Sequence, residues 1–145
     1  MSRIISYRGL LADGAQERIS LTTIRGLIGY RLTKFELMTN TPGVGSGEHV
    51  VKIYKVEQTT VDGLVDFSDQ RLLGAAQVNN HSAANAYPAV ISVVFDNMIF
   101  NQDIFITHTE LISTGACNYY IELEQIDLAL DEATVATLKD IRNND

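Results

Sequence analysis

The residues of this chain most capable of chemistry are its three histidines and its one cysteine. His49, His81 and His108 stand far apart, and none has a second histidine, a cysteine or a carboxylate at the spacing of a zinc site. We interpret them as ordinary surface histidines, with His81 in a loop and the other two at strand ends. Cys117 can form no disulfide within the chain. Its place at the start of a strand is typical of a small buried hydrophobe, and no histidine near it in sequence would activate it as a nucleophile.

One acidic stretch offers oxygen atoms of the kind that calcium prefers. Asp62, Asp66 and Asp69 lie close together beside Gly63. Their spacing lacks the alternate acids and the final glutamate of the calcium loop found between two helices. A solvated turn is the simpler interpretation, and calcium remains the alternative.

A second acidic pair lies on one predicted strand. Glu122 and Glu124 leave the same face of that strand, about 7 Å apart from the rise per residue. Carboxylates at such a separation occur in glycosidases. Neighbours of this kind on a solvated face usually serve only to keep it wet, which is the interpretation we prefer.

Glycines and short polar clusters mark loops without indicating a ligand. Gly43, Gly45 and Gly47 lie in the loop 40–48 but do not have the spacing of a dinucleotide-binding fingerprint. The polar residues at 96–97 and 101–103 are typical of turns. We therefore predict no catalytic, cofactor-binding or metal-binding residues, and a protein that is not an enzyme.

The elements that would position these residues are strands. Residues 118–124 alternate, with Tyr119, Ile121 and Leu123 on one face and polar or amphipathic residues on the other. A period of two predicts a strand with one face on a core and one in water. Residues 90–95 are apolar on nearly both faces, which predicts a central strand of a sandwich.

Three features of the pattern predict details of the sheets. The change of phase between Leu32 and Phe35 predicts a β-bulge near Thr33, and a similar change predicts a second bulge near Gln125. The Asp-Gly pair at 13–14 predicts a tight turn, and with it a hairpin over residues 4–22.

About eight short strands, with turns roughly 10 to 15 residues apart, predict an all-β fold. The expected architecture is an antiparallel β-sandwich, jelly-roll-like, over residues 1–130. Residues 131–145 are predicted to form a C-terminal helix, with Asp131 as its N-cap, or else an extended arm.

Composition limits the class of protein and its partners. A chain of 145 residues with 46% hydrophobic and 20% charged residues is a globular domain. The net charge of -7 makes nucleic acid a poor partner. We expect no membrane association, because no apolar run approaches the roughly 18 residues that span a bilayer, and we expect no export signal.

Two blocks together carry a resemblance to a known class of protein. They are FDNMIFNQDIFITH at 95–108 and NYYIELE at 118–124, the latter continuing to 134–143, with ISYRG at 5–9 and VKIYK at 51–55. This pattern resembles small virion structural proteins of marine bacteriophages. The resemblance implies a minor capsid or decoration protein located in the virion, whose partners are other capsid proteins and copies of itself.

The expected function follows from that resemblance and from the missing active-site pattern. It is a non-enzymatic virion structural protein that assembles as a symmetric homo-oligomer, without cofactors. The alternative is a module that recognises a host-surface receptor or glycan through the loops 40–48 and 79–88.

Overall fold

The fold is a sandwich of two antiparallel sheets. A computed structural model describes residues 3–23, 27–41, 47–80, 91–129 and 136–138. The strands are β1 (Arg3–Leu11), β2 (Gln16–Ile19), β3 (Ile28–Thr39), β4 (Gly47–Tyr54), β5 (Leu72–Asn80), β6 (Ile91–Phe95), β7 (Ile104–Glu110) and β8 (Cys117–Asp127). One sheet has the order β1-β8-β3 and the other β2-β7-β4-β5-β6. The predicted all-β sandwich is confirmed.

The order of the strands is that of a jelly roll with one strand moved. When eight strands fold over as one long hairpin, β1 meets β8, β2 meets β7, β3 meets β6 and β4 meets β5. Three of these four pairings are present. The exception is β6, which is hydrogen-bonded to β5 although it also approaches β3. In its place, a single bridge joins Tyr30 of β3 to Phe100.

The core lies between the sheets, on the alternate residues that the sequence indicates. Tyr119, Ile121 and Leu123 of β8 are buried, whereas Glu122 and Glu124 are half-buried on the other face. Inward residues of both sheets form one cluster, which includes Leu32, Phe35, Val51, Ile53, Leu73, Val78, Ile104 and Ile106. This confirms the orientation predicted for β8.

The predicted bulge in β3 is present. The register of β3 against β8 shifts between Leu32 and Lys34, so Thr33 has no partner across the strand pair. The extra residue reverses the phase, and both Leu32 and Phe35 are buried.

The bulge predicted near Gln125 is wrong. The pairing of β8 with β3 runs without a shift from Gln125 to Asp127. Ile126 therefore faces away from the core. On that side it packs against a second, smaller apolar cluster, which contains Leu27, Leu128 and Ala136. When the apolar residues of a strand change from one face to the other, the strand can bulge or its second face can be buried as well. Here the second face of β8 is partly buried and the strand does not bulge.

The predicted hairpin over residues 4–22 is also wrong. The turn itself exists, with Gly14 at a φ of 79°, the positive region that glycine adopts without strain. However, β1 pairs with β8 and β2 pairs with β7. The turn carries the chain from one sheet to the other, and the Gly14 amide donates to the His108 carbonyl at 2.9 Å.

The strand at 91–95 is not central, contrary to the prediction. β6 is the edge of the five-stranded sheet, and most of its residues are exposed. Of the predicted segment 131–145, residues 136–138 are described and are helical; the other residues of that segment lie outside the described ranges. In the ranges that the structure describes, no helix is long and apolar enough to cross a bilayer.

Asp103, just before β7, fastens the end of β2 to that strand. Its Oδ1 atom accepts hydrogen bonds from the amides of Leu21 at 2.7 Å and Thr22 at 2.9 Å. Its Oδ2 atom accepts from the Arg18 Nε at 2.7 Å. Burial acts to raise the pKa of Asp103. Hydrogen bonds outweigh this effect and hold the pKa at about 2; in order of size, they come from the amides of Thr22 and Leu21 and from the side chains of Arg18 and Thr22.

This carboxylate predicts an acid-sensitive contribution to stability. Because the pKa is lower in the folded chain than the roughly 3.9 of an unfolded aspartate, the contribution is complete above pH 4 and is lost as the pH falls through about 2. Asp103→Asn should lower the free energy of unfolding by about 2 kcal/mol at pH 7 and flatten its dependence on pH between about 4 and 2. Urea unfolding across that range measures both effects.

The matched control is Asp127→Asn, which removes the same charge from an exposed position. It should keep the acid dependence of the wild type. An Asp103→Asn variant that lost stability with acid as steeply as the wild type would show that another group is responsible.

Candidate functional site

His49, His108 and Cys117 meet at one end of the sandwich, between the two sheets. His49 lies on β4 two residues before the core residue Val51, and Cys117 lies on β8 two residues before the core residue Tyr119. His108 continues the core face of β7. Because β4 and β7 are antiparallel, the start of one lies beside the end of the other. Each polar residue thus extends the buried face of its strand by one step.

The three side chains are close enough to act as one group. The Nδ1 atom of His49 lies 2.9 Å from the Nε2 atom of His108, and the two rings are stacked with centroids 5.2 Å apart. One ligand atom from each ring and the Cys117 sulfur all lie within 4.8 Å of one another. His108 and Cys117 are fully buried and His49 is 3% exposed.

A backbone carbonyl determines where the protons on the two rings lie. The Nδ1 atom of His108 lies 3.0 Å from the Ala12 carbonyl oxygen, which can only accept, so Nδ1 of His108 carries a proton. In neutral His108 the Nε2 atom is then an acceptor, and His49 Nδ1 donates to it. The turn after β1 therefore orients His108 and leaves its Nε2 lone pair facing the cluster.

The surroundings keep His49 neutral while placing carboxylates nearby. Burial lowers the pKa of His49, and His108 lowers it further, whereas Glu110 and Asp13 act in the opposite direction. Glu110 lies opposite His49 in the strand pair, and its Oε1 atom accepts from the Glu48 amide at 2.7 Å. The Asp13 Oδ1 atom in turn accepts from the Glu110 amide at 2.9 Å. A neutral imidazole is the form that binds metals.

Cys117 is not an activated nucleophile in this environment. Burial raises the pKa of its thiol to about 12, and the contact with the Met38 carbonyl opposes that rise only in part. Reactive cysteines have a lowered pKa and partial exposure. The prediction that Cys117 is a buried residue is confirmed, although a histidine pair does lie beside it.

The interpretation of His49 and His108 as surface histidines is wrong, because both are buried. The sequence does hold a signal for this. His49 lies two residues from Val51 and His108 lies two residues from Ile106, so each histidine is on the face of its strand that points to the core. Sequence spacing could not show that β4, β7 and β8 bring them together. His81 lies outside the described residues. The prediction that the chain binds no metal stays a prediction.

The three aspartates considered for calcium do not converge. Asp62 accepts from the ammonium group of Lys52 at 3.0 Å, and this pairing is the main reason that the pKa of Asp62 is lowered. Asp66 accepts from the amide and hydroxyl of Ser68, and Asp69 pairs with Arg71. Each carboxylate is therefore bound within its own turn or to a lysine, and the three do not share a site.

The glutamate pair is part of the outer face of the three-stranded sheet. Glu124 forms a salt bridge with Arg31 on β3, and Glu122 lies opposite Lys34. Of the residues at 101–103, Asp103 accepts hydrogen bonds from the segment that follows β2. None of these residues approaches the cluster of His49, His108 and Cys117.

Of the loop 40–48, the structure describes the two ends and not residues 42–46. Gly47 begins β4 and contacts the buried cluster. A Cβ atom at this position would lie 3.1 Å from the Nε2 atom of His49 and 3.0 Å from the Oε1 atom of Glu110. A side chain at position 47 would therefore crowd both His49 and Glu110. Most of the loop 79–88 lies outside the described residues.

A second feature of functional interest is the edge strand β6. The four strands at the edges of the two sheets are β1, β3, β2 and β6. The first three carry charged residues, which are Arg3, Arg8, Arg31, Lys34, Glu36, Glu17 and Arg18. β6 carries none, and its Ile91 and Val94 are 61% and 50% exposed. Charges are one means of protecting an edge strand from pairing with other chains, and β6 lacks that means.

Comparison with known proteins identifies no family for this chain. No family model matches it, and no curated protein matches it. One similar solved structure, described by the words "Bacillus endospore appendages form a novel family of disulfide-linked pili", is 11% identical, covers 89% of this chain and 92% of that chain, and has a TM-score of 0.33. A likeness at that level carries no argument about this chain.

The burial of Cys117 predicts that its thiol resists alkylation in the native protein. A pKa of about 12 in place of about 8.5 leaves roughly three orders of magnitude less thiolate. Iodoacetamide at pH 8 should therefore leave the folded chain unlabelled and should label it completely in denaturant, as followed by intact-mass spectrometry.

The control for this experiment is Thr60→Cys, because residue 60 is exposed in the connection between β4 and β5. The introduced thiol should react rapidly in the same tube in which Cys117 does not. Labelling of both thiols at similar rates in the native state would contradict the buried position of Cys117.

Proposed function

We propose that this protein is a non-enzymatic structural subunit of a bacteriophage particle, a minor capsid or decoration protein that assembles as symmetric copies. The observation that carries this proposal is the uncharged, exposed edge strand β6. The resemblance of blocks 95–108 and 118–124 to virion structural proteins of marine phages supports the same class of function.

An exposed apolar edge is costly for a protein that works alone. An edge strand presents unpaired amide and carbonyl groups, which another strand can satisfy by extending the sheet. On β6 the side chains that accompany those groups are Ile91, Val94 and Phe95, all exposed to at least about a third of their area. Val93 faces the core, so it anchors the strand in its own sheet. The strand is therefore held in its sheet, and among the described residues no strand pairs with its outer edge.

The lack of charge on β6 makes it the edge strand at which a second copy meets the least repulsion. Two copies that each carry a net charge of -7 repel one another over most of their surface. Contact through β6 brings no charged side chain of that strand against another copy, whereas β1, β2 and β3 each carry charged side chains. Antiparallel pairing of two β6 strands about a two-fold axis would join two five-stranded sheets into one.

Self-association through β6 predicts the effect of one substitution. Val94→Lys places a charge on the exposed edge, where two copies would oppose like charges at close range. The variant should sediment as a monomer at protein concentrations at which the wild type forms a larger species. Sedimentation velocity over a concentration series measures the difference.

Ile112→Lys is the matched control, because Ile112 is an equally exposed apolar residue that lies in the loop after β7. It should associate as the wild type does. A wild type that stays monomeric throughout, or an Ile112→Lys variant that dissociates as Val94→Lys does, would contradict the assignment of the contact to β6.

The location of the protein has its own test. Virions purified from the phage whose genome encodes the chain should contain it in many copies, as measured by quantitative mass spectrometry of the particles. Its absence from washed particles, combined with its presence in the infected-cell lysate, would show that it is not a structural subunit.

A further inference from the structure

We propose that His49, His108 and Cys117 bind one zinc ion, which links the two sheets at this end of the sandwich. The inference is independent of the proposed role in a particle, because it rests on the interior of a single chain and not on β6.

The distances within the cluster are near those of a zinc site. Two nitrogen ligands at about 2.05 Å from a tetrahedral zinc ion lie about 3.3 Å apart. The nitrogen atoms of His49 and His108 that face each other are 2.9 Å apart, and all three ligand atoms lie within 4.8 Å of one another. The two nitrogens would move apart by a few tenths of an ångström. A nitrogen–sulfur pair at the 4.8 Å limit would close by about 1 Å, to the roughly 3.6 Å of a tetrahedral site.

The groups that surround the proposed ligands are also typical of a metal site. Metal-bound histidines usually donate their other ring N–H to a carbonyl or carboxylate group, which fixes the ring. His108 does so to the Ala12 carbonyl at 3.0 Å. Glu110 lies opposite His49 across the strand pair, and its carboxylate borders the same glycine, Gly47, as the outer nitrogen of His49.

The donor set favours zinc over copper. One thiolate and two imidazoles suit both ions, but the copper sites of electron-transfer proteins add a weak axial thioether in most cases. Met38, whose carbonyl group contacts Cys117, is 65% exposed, and its side chain does not face the cluster. Zinc accepts three protein ligands with a fourth position held by water.

Zinc binding needs only the loss of one proton and the movement of another, and no other reagent takes part. The Cys117 thiol releases its proton to solvent and binds as thiolate. The proton on Nδ1 of His49 moves to Nε2, the nitrogen on the side of Glu110, so that Nδ1 can bind the ion. One N–H···N hydrogen bond between the rings is replaced by two metal–nitrogen bonds and one metal–sulfur bond. No oxidation takes place.

The ion would add metal–ligand bonds between the two sheets at this end, beside the contact of His108 with the Ala12 carbonyl. His49 and His108 belong to the five-stranded sheet and Cys117 to the three-stranded sheet. A link between them should therefore stabilise the sandwich against separation of its layers. The chain has one cysteine and so no internal disulfide that could do this.

The test uses the full chain, free of any affinity tag and stripped of metal by a chelator. Co²⁺ is the probe, since it occupies zinc sites and absorbs light. We expect a thiolate-to-cobalt band that saturates at one equivalent, loss of that band when Zn²⁺ is added, and a higher Tm with Zn²⁺ than without. Cys117→Ser should lose the band, and His49→Gln should bind Co²⁺ at least about tenfold more weakly. His81→Gln is the control and should behave as the wild type.

A measurement on the wild type alone keeps the proposal testable if the buried variants do not fold. X-ray absorption of the zinc-loaded protein should show one sulfur and two imidazole nitrogens around the metal. A first shell of nitrogen and oxygen only would overturn the proposal. So would a wild type that gives no cobalt band and no change of Tm with Zn²⁺, or a His81→Gln variant that loses the band.

Discussion

The packing of one face of β8 into a core shared with the five-stranded sheet is the interaction on which the rest of this molecule depends. β8 is the middle strand of the three-stranded sheet and pairs along its length with β1 and β3. Its inward residues, Tyr119, Ile121 and Leu123, belong to the same buried cluster as the inward residues of the other sheet. Because side chains alternate along a strand, this contact decides which residues of β1 and β3 are buried as well.

The same alternation carries polar residues into the interior at one end. His49, His108 and Cys117 occupy positions that apolar residues fill further along the same strands. Buried polar groups need partners, and the two rings satisfy each other and the Ala12 carbonyl. The end of the sandwich is thus held by specific polar contacts, whereas its middle is held by apolar packing.

The departure from a regular jelly roll has a consequence at the surface. With β6 bonded to β5 and not to β3, the five-stranded sheet ends in a strand that has no charge. The three-stranded sheet keeps β3 at its edge, with Arg31, Lys34 and Glu36 along it. At these two edges, one layer therefore ends in an apolar strand and the other in a charged strand.

The sequence by itself determined the strands, the inward face of β8 and the bulge at Thr33, since all of these follow from the local alternation of side chains. It could not decide between a bulge and a second cluster at Gln125, because both satisfy the same pattern. Only the tertiary structure decided that β1 and β2 pair with β8 and β7, that β6 lies at an edge, and that His49, His108 and Cys117 meet. Strand pairing joins residues far apart in the chain, and the choice of partner depends on how all the strands together bury their faces.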